Sequence, residues 1–143
     1  MVKTSRGITN NNWGNIRISA NKWKGKISPQ TQDPSFEVFQ SAAFGLRALI
    51  VLLSNYYKTY NLKTIEQIIN KYAPPSENAT KNYIAVVAKK VGLPLNTDLD
   101  LLNNETNQRK IVEAIVRVEN GFLPSSFNEV YTNALSLLPK KKE

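Results

Sequence analysis

The spacing of apolar residues changes character near residue 41. Beyond it they recur every three or four residues, which is typical of amphipathic helices. Residues 42–60 are apolar nearly all the way round, and such a helix is expected to lie buried at the centre of a domain. Ser41 is a suitable N-cap, and the Pro74-Pro75 pair ends a helix. The pattern predicts helices over 42–60, 65–72, about 78–91, about 105–121 and about 126–138.

The segment before residue 41 lacks the helical period. Residues 1–16 are rich in Asn, which favours turns and hydrogen bonds from side chains to the backbone, so a loop is expected. Residues 17–39 alternate briefly in polarity at Arg17-Ile18-Ser19 and at Phe36-Glu37-Val38-Phe39, with turn-forming prolines between. This pattern predicts a small, irregular β-hairpin. Because two or three short strands are not stable alone, we expect them to pack on the helices.

These elements predict an α+β fold, mostly α, with five to six helices and a small β-hairpin near the N-terminus. A length of 143 residues is that of one domain, so a single domain over 1–143 is expected. Its expected parts are a loop at 1–16, a β-hairpin at 17–39, a helical core at 41–121, a C-terminal helix at 122–138 and a basic tail at 139–143.

The carboxylate of Glu119 falls on the apolar face of a predicted helix. At about 100° per residue, Glu119 lies between Ile115 and Val112, inside the apolar arc of the helix that ends at Gly121. Burial and the negative end of the helix dipole would both raise its pKa, as a general acid near neutral pH requires. The alternative is that the helix frays before Glu119 and the side chain turns to water.

The absence of Cys and His narrows the possible chemistry. It excludes disulfides, thiolate and imidazole metal sites, and nucleophilic machinery of the Ser-His or Cys-His kind. No Asp-rich loop of the calcium type is present either, so no metal is expected. No glycine-rich phosphate-binding motif is present, so no nucleotide cofactor is expected. Acid–base chemistry must then come from carboxylates, Tyr or Lys.

The formal charge of +8 indicates a polyanionic partner such as nucleic acid, anionic lipid or anionic cell wall. The first residues, Met1 to Arg6, have no apolar stretch, so no signal peptide is expected. The longest apolar run, at 42–53, is interrupted by Gly45 and Arg47 and is too short to cross a bilayer. No membrane span is therefore expected.

Elimination leaves few acids with a possible catalytic role. Most of the eleven acids fall on polar helix faces or near caps. Those that remain are Glu119, Asp33 and Glu37 in the predicted hairpin, and Glu77, which is most simply a first-turn acid. A site with one or two carboxylates among Trp, Tyr and Asn side chains suits cleavage of a glycosidic bond.

The chain resembles a family of phage virion proteins with a lysozyme-like domain. The resemblance begins with Asn10-Asn11-Asn12-Trp13-Gly14-Asn15-Ile16-Arg17 and Trp23-x-Gly25, which are similar to that family's N-P-G-N-I-R…W-x-G opening, with Trp13 in place of Pro. It continues through Phe36-x-x-Phe39, Gly45-Leu46-Arg47-Ala48, Tyr72-Ala73-Pro74-Pro75-x-Glu77-Asn78-x-Thr80-x-x-Tyr83-Ile84 and Ala114-Ile115-x-x-x-Glu119-Asn120-Gly121. It covers nearly the whole chain to Gly121.

The same order of motifs also resembles N-acetylglucosaminidases of the flagellar and autolysin type, whose catalytic Glu precedes the N-x-F-G segment. Here Glu119-Asn120-Gly121 follows it, which suggests a circularly permuted lysozyme-like domain. The resemblance implies that Glu119 is the general acid, with Asp33 or Glu37 as a second catalytic group. The implied substrate-binding residues are Asn12, Trp13, Asn15, Trp23, Tyr83 and Glu77. For Trp13 and Tyr83, core packing is the simpler interpretation.

The resulting hypothesis is a peptidoglycan-degrading glycosidase: a muramidase, an N-acetylglucosaminidase or a lytic transglycosylase. It would be carried in a phage virion or released into the bacterial periplasm and cell wall, with glycan strands as its partner. If no second carboxylate lies in reach, the sugar's own acetamido group or 6-hydroxyl could act as nucleophile. The alternative is a non-catalytic virion structural or DNA-associated protein, although the cations are too scattered to favour nucleic acid.

Overall fold

The computed structural model of the chain describes residues 4–73 and 77–139, without the side chains of Glu77 and Asn78. Helices are the regular secondary structure of these residues, and those beyond residue 41 lie close to where the apolar spacing predicts them. They are α1 (Arg6–Thr9), α2 (Ala42–Tyr60), α3 (Ile65–Tyr72), α4 (Glu77–Val91), α5 (Glu105–Asn120) and α6 (Phe127–Ser136). None of the helices within the described ranges is long and apolar enough to cross a membrane.

The predicted α+β class is wrong, because residues 17–39 do not form a β-hairpin. Within the described part of the chain, β-pairing is limited to two isolated antiparallel bridges, Arg17 to Phe36 and Lys26 to Phe39. Side chains take the place of a strand ladder. The Asn12 amide donates to the carbonyls of Ile16 and Glu37 at 3.0 Å each and accepts from the Ile16 amide at 2.9 Å. Such local competition for backbone groups ends β-pairing after single bridges.

The predicted loop at 1–16 contains the short helix α1. Ser5 caps it, since its Oγ accepts from the Ile8 amide at 3.3 Å. The segment then turns sharply, with Asn11 and Asn15 in the left-handed region at φ of 52° and 51°. Asn tolerates this conformation better than other residues with a Cβ, which gives the run of asparagines a backbone role.

Contacts divide the chain into two compact units. The first consists of Met1–Leu49 and Glu119–Glu143. Its buried apolar residues come from the N-terminal segment, the first turns of α2, and α6. They are Trp13, Ile16, Val38, Phe39, Leu46, Ala48, Leu49, Phe127, Tyr131 and Ala134.

The second unit, Ile50–Val118, is built on helix packing. A capping box formed by Thr64 and Gln67 starts α3, which buries Ile65, Ile68 and Ile69 and packs against α4. The predicted inward residues of α4 are buried, namely Tyr83, Ile84, Val87 and Val91. Gly92 follows α4 with a φ of 77°, as the predicted C-cap requires.

Candidate active site

The last turn of α5 carries the candidate acid. The helix continues through Asn120, and Gly121 follows it with a φ of 80°. Glu119 is therefore still helical, and its side chain is half-buried rather than enclosed in the core. Val116 and Ile115, in the preceding turn, are fully buried. The helix thus places the Glu119 side chain next to buried apolar residues of its own preceding turn.

Asn15 from the N-terminal loop holds the Glu119 carboxylate. Its Nδ2 donates to Glu119 Oε1 at 3.0 Å and lies 3.4 Å from the carbonyl oxygen of the same residue. One amide group therefore grips both the side chain and the backbone of Glu119, across a separation of 104 residues in sequence. The structure brings together the predicted acid and one of the predicted substrate-binding residues.

Asn120 makes the second connection between α5 and the N-terminal loop. Its Nδ2 donates to the Trp13 carbonyl oxygen at 2.8 Å, and its Oδ1 accepts from Ser5 Oγ at 2.5 Å. Gly7 leaves the space that this requires: a Cβ there would lie 2.5 Å from Asn120 Oδ1 and 2.9 Å from the Asn12 carbonyl oxygen. Asn15 and Asn120 together fix the end of α5 against the loop.

Trp13 and Asn12 support the loop from inside. Trp13 is 4% exposed, and its ring stacks on Phe127 with centroids 6.4 Å apart. Phe127 in turn stacks on Tyr131 at 5.7 Å. Asn12 is fully buried and uses its amide on the backbone of Ile16 and Glu37. These contacts favour structural roles for both residues, which were predicted to bind substrate.

The Asp33 carboxylate accepts five hydrogen bonds. Its carboxylate accepts from Arg6 Nε at 2.6 Å and Nη2 at 2.7 Å, and from Asn10 Nδ2 at 2.8 Å. The backbone amides of Ser35 and Phe36 add two more, at 2.9 and 3.0 Å. The Arg6 hydrogen bonds, joined by these amide donors, hold the pKa of Asp33 far below its usual range. This geometry suits an anchor for the loop and does not suit a proton donor.

Glu37 is also buried in an ion pair. Its Oε2 lies 2.9 Å from Lys26 Nζ and accepts from the Ser19 amide at 3.3 Å. Lys26 Nζ donates further to the carbonyl oxygens of Ser19 and Asn21, at 3.0 Å each. All three ammonium protons of Lys26 thereby close the loop from 19 to 26 over Glu37.

The remaining candidates lie on other segments of the chain. Trp23 is half-buried in the loop that Lys26 closes, and its Nε1 is buried without a hydrogen-bond acceptor among the described residues. Tyr83 belongs to the second unit, where it is buried on α4. Glu77 is the first residue of α4, and its side chain lies outside the described residues.

Sequence reasoning missed several residues that assemble the site. Ser5, Gly7 and Asn120 act across the chain, through contacts that no local spacing encodes. Arg6 and Lys26 were counted only as part of the net charge. The one available signal was the density of Asn between residues 10 and 15, which marks side-chain hydrogen bonds to the backbone. Within the described residues, no group of three or more acidic side chains is placed to hold a metal ion.

A curated relative of the chain is Protein P5 of Pseudoalteromonas phage PM2. The two sequences are 36% identical over 131 residues, which make up 90% of this chain and 79% of the relative. This similarity confirms the expected connection with bacteriophages. No family model matches the chain.

Proposed function

This chain belongs to the family of the phage protein P5, and we propose that it is a peptidoglycan-degrading glycosidase with Glu119 as its general acid. The observation that carries the proposal is the hydrogen bond from Asn15 Nδ2 to Glu119 Oε1. It holds a half-buried carboxylate in one orientation, beside the loop that resembles the sugar-binding segment of lytic domains. A virion enzyme, or one released into the periplasm, would meet its substrate in the host cell wall.

In the proposed mechanism, the contact with Asn15 favours Oε2 as the oxygen that carries the proton. Asn15 Nδ2 is a donor, so Oε1 acts as the carbonyl oxygen of the acid form and the proton resides on Oε2. Oε2 then donates this proton to the glycosidic oxygen, the bond from C1 to that oxygen breaks, and the leaving sugar departs as an alcohol. The resulting carboxylate keeps its hydrogen bond with Asn15 and serves as the base of the second step.

We assign the nucleophilic attack on C1 to a group of the substrate itself. Asp33 and Glu37, the other acids of this unit that sequence singled out, are each neutralised by a cation. In the proposed mechanism the acetamido oxygen of the cleaved sugar, or its 6-hydroxyl, bonds to C1 as the leaving group departs. Water opens the first intermediate with Glu119 as base and yields a reducing end. Attack by the 6-hydroxyl, with its proton passing to Glu119, yields an anhydro sugar.

The test is digestion of isolated peptidoglycan by the wild type and by Glu119→Gln, with products identified by mass spectrometry. We expect Glu119→Gln to lose about 10²–10⁴-fold in rate, the usual contribution of a general acid. Glu113→Gln is the matched control, because Glu113 lies on the same helix with 32% side-chain exposure and pairs with Arg117 at 3.8 Å. It should retain the wild-type rate.

The products distinguish the proposed routes. A free reducing end indicates hydrolysis, and an anhydro end indicates transglycosylation. If the wild type releases nothing from any wall type, the glycosidase proposal is wrong and a non-catalytic virion role is favoured. If Glu119→Gln digests as fast as Glu113→Gln, the enzyme stands and Glu119 is not its acid.

A further inference from the structure

The exposed charge of the N-terminal segment is entirely positive. Between residues 4 and 40 the sequence has two acids, Asp33 and Glu37, and both are buried. Arg6 neutralises Asp33 and Lys26 neutralises Glu37, in contacts of 2.6 and 2.9 Å. Three cations of the segment are left with no carboxylate partner among the described residues: Arg17, Lys22 and Lys24. All three are exposed, and we refer to them as the cationic surface.

The Arg17 guanidinium is positioned by an aromatic ring. This guanidinium lies over the Phe36 ring, 4.8 Å from the centroid. Arg6 lies over the same ring at 4.5 Å, but its guanidinium is occupied by Asp33. Stacking restricts the Arg17 side chain while leaving the edge of its planar group to donate hydrogen bonds. A guanidinium presented in this way suits the bidentate geometry of a carboxylate.

Lys22 and Lys24 stand on an ordered loop. Lys26 Nζ bonds the carbonyls of Ser19 and Asn21, and the Lys26 amide donates to the Trp23 carbonyl at 3.1 Å. The two lysines therefore extend from a segment that is closed on both sides, although neither makes an ion pair itself. The half-buried Lys26 therefore shapes a loop from which two exposed lysines, Lys22 and Lys24, extend into solvent.

One residue of the cationic surface, Arg17, lies close along the chain to the Asn15 contact with Glu119. Arg17 is two residues beyond Asn15, whose side chain contacts Glu119. Two residues of extended chain span at most about 7 Å. If a glycan strand binds with a glycosidic bond at Glu119, the substituents on its nearest sugars would then lie within reach of Arg17.

We propose that the cationic surface binds the carboxylates of the stem peptides of peptidoglycan, so that the protein recognises peptide-bearing rather than bare glycan. This inference rests on the proposed function. Peptidoglycan sugars with peptides attached carry no charge of their own, and the anionic groups of the polymer lie on those peptides. Three cations are few for non-specific DNA binding, whose affinity grows with the number of phosphates contacted.

The test measures binding to sedimented peptidoglycan in a Glu119→Gln background, so that the polymer stays intact. The test variant changes Arg17, Lys22 and Lys24 to Gln together. The matched control changes Lys58, Lys89 and Lys90, which are exposed residues of the second unit, and removes the same charge. Each protein is tested on intact wall and on glycan that an amidase has stripped of peptides and whose freed lactyl carboxylates have then been converted to amides, so that this glycan carries no charge. Thermal melting verifies that both variants fold.

We expect the test variant to bind intact wall about tenfold or more weakly, the loss typical of a few charge-assisted hydrogen bonds. The control should bind within about twofold of the parent, as surface charges far from a ligand do. The parent should bind stripped glycan no better than the test variant does. Its binding to intact wall should weaken between about 0.1 and 1 M salt, as screening shortens from about 10 to about 3 Å.

Two results would overturn the inference. One is equal binding of the test variant and the control to intact wall. The other is parent binding that survives removal of the peptides. Vesicles of phosphatidylglycerol and a DNA duplex serve as further probes: if the triple change weakens binding to these and not to the wall, the cationic surface recognises phosphate. Digestion assays on the parent with Glu119 restored decide the glycosidase proposal separately, because a non-catalytic protein could still lose wall binding in the test variant.

Discussion

Replacing Gly7 by Ala should destabilise the protein, although the same change in a helix is normally favourable. Ala exceeds Gly in helix propensity by about 1 kcal/mol. At Gly7 the added Cβ would lie 2.5 Å from Asn120 Oδ1, 2.9 Å from the Asn12 carbonyl oxygen and 3.1 Å from Asn15 Oδ1. Contacts below 3.0 Å force a shift, and two of these three atoms belong to side chains that hold the end of α5.

The expected size follows from these contacts. Overpacking a tight site costs about 1–3 kcal/mol. Displacing Asn120 also strains its two hydrogen bonds, with Ser5 and with the Trp13 carbonyl, each worth about 0.5–1.5 kcal/mol. After subtraction of the gain in propensity of about 1 kcal/mol, we expect the free energy of unfolding of Gly7→Ala to fall by about 1–5 kcal/mol.

Urea unfolding, followed by tryptophan fluorescence, measures this free energy. Thr9→Ala is the matched control on the same short helix, because Thr9 is exposed, and it should change stability by less than about 0.5 kcal/mol. A cycle with Asn120→Ala isolates the clash, since Gly7→Ala should cost about 1 kcal/mol less when Asn120 is already shortened. If Gly7→Ala is as stable as the wild type or more so, the proposed fit between α1 and α5 is wrong.

Four further results are expected. Trp13→Ala should lower the free energy of unfolding by about 3–5 kcal/mol in urea, because Trp13 is 4% exposed and stacks on Phe127; a loss below about 1 kcal/mol would contradict this packing. Asn15→Gly keeps the left-handed backbone but removes the amide, and kcat on peptidoglycan should fall about tenfold with KM unchanged; a change in KM alone would remove the positioning role. The lowered pKa of Asp33 contributes stability above about pH 3.9 that is lost as the pH falls, so Arg6→Gln should weaken this acid dependence in melts below about pH 5; an unchanged profile would argue against the ion pair. The hydrogen bond to Asp98 raises the pKa of Tyr57 to about 12, so Asp98→Asn should move one phenolate transition in an absorbance titration toward about pH 10; a titration identical to the wild type would contradict that hydrogen bond.

The helices could be predicted from sequence because their determinants are local. In α3, Ile65, Ile68 and Ile69 recur with the helical period, and all three are fully buried. Thr64 and Gln67 supply a capping box within the same stretch. Burial of one face and satisfaction of the first amides are both set by residues a few positions apart. The spacing of the apolar residues and of the capping residues is therefore enough to predict this helix.

The predicted hairpin failed because its backbone groups find partners elsewhere. The Phe39 amide donates to the Asn10 carbonyl at 3.0 Å, outside the predicted hairpin. The Gln40 amide donates to the Gly25 carbonyl at 2.8 Å, but only as part of the single bridge between Lys26 and Phe39. Asp33 takes the amides of Ser35 and Phe36. Alternating polarity over four residues is a weak signal, and it does not report which donors a buried Asn or Asp will capture.

The candidate site is likewise assembled by side-chain hydrogen bonds between segments that are distant in sequence. Glu119 is placed by α5, whose period could be read, but its orientation is set by Asn15, which lies 104 residues away. The left-handed backbone at Asn15, with a φ of 51°, directs the amide toward the helix end, and Asn120 returns the contact to the Trp13 carbonyl. A carboxylate that accepts a hydrogen bond from a distant segment is restricted in its rotamers before a ligand arrives, which is what preorganised acid catalysis requires. The N-terminal loop can orient Glu119 although it comes first in the sequence and α5 comes late, because hydrogen bonds join the two segments in space.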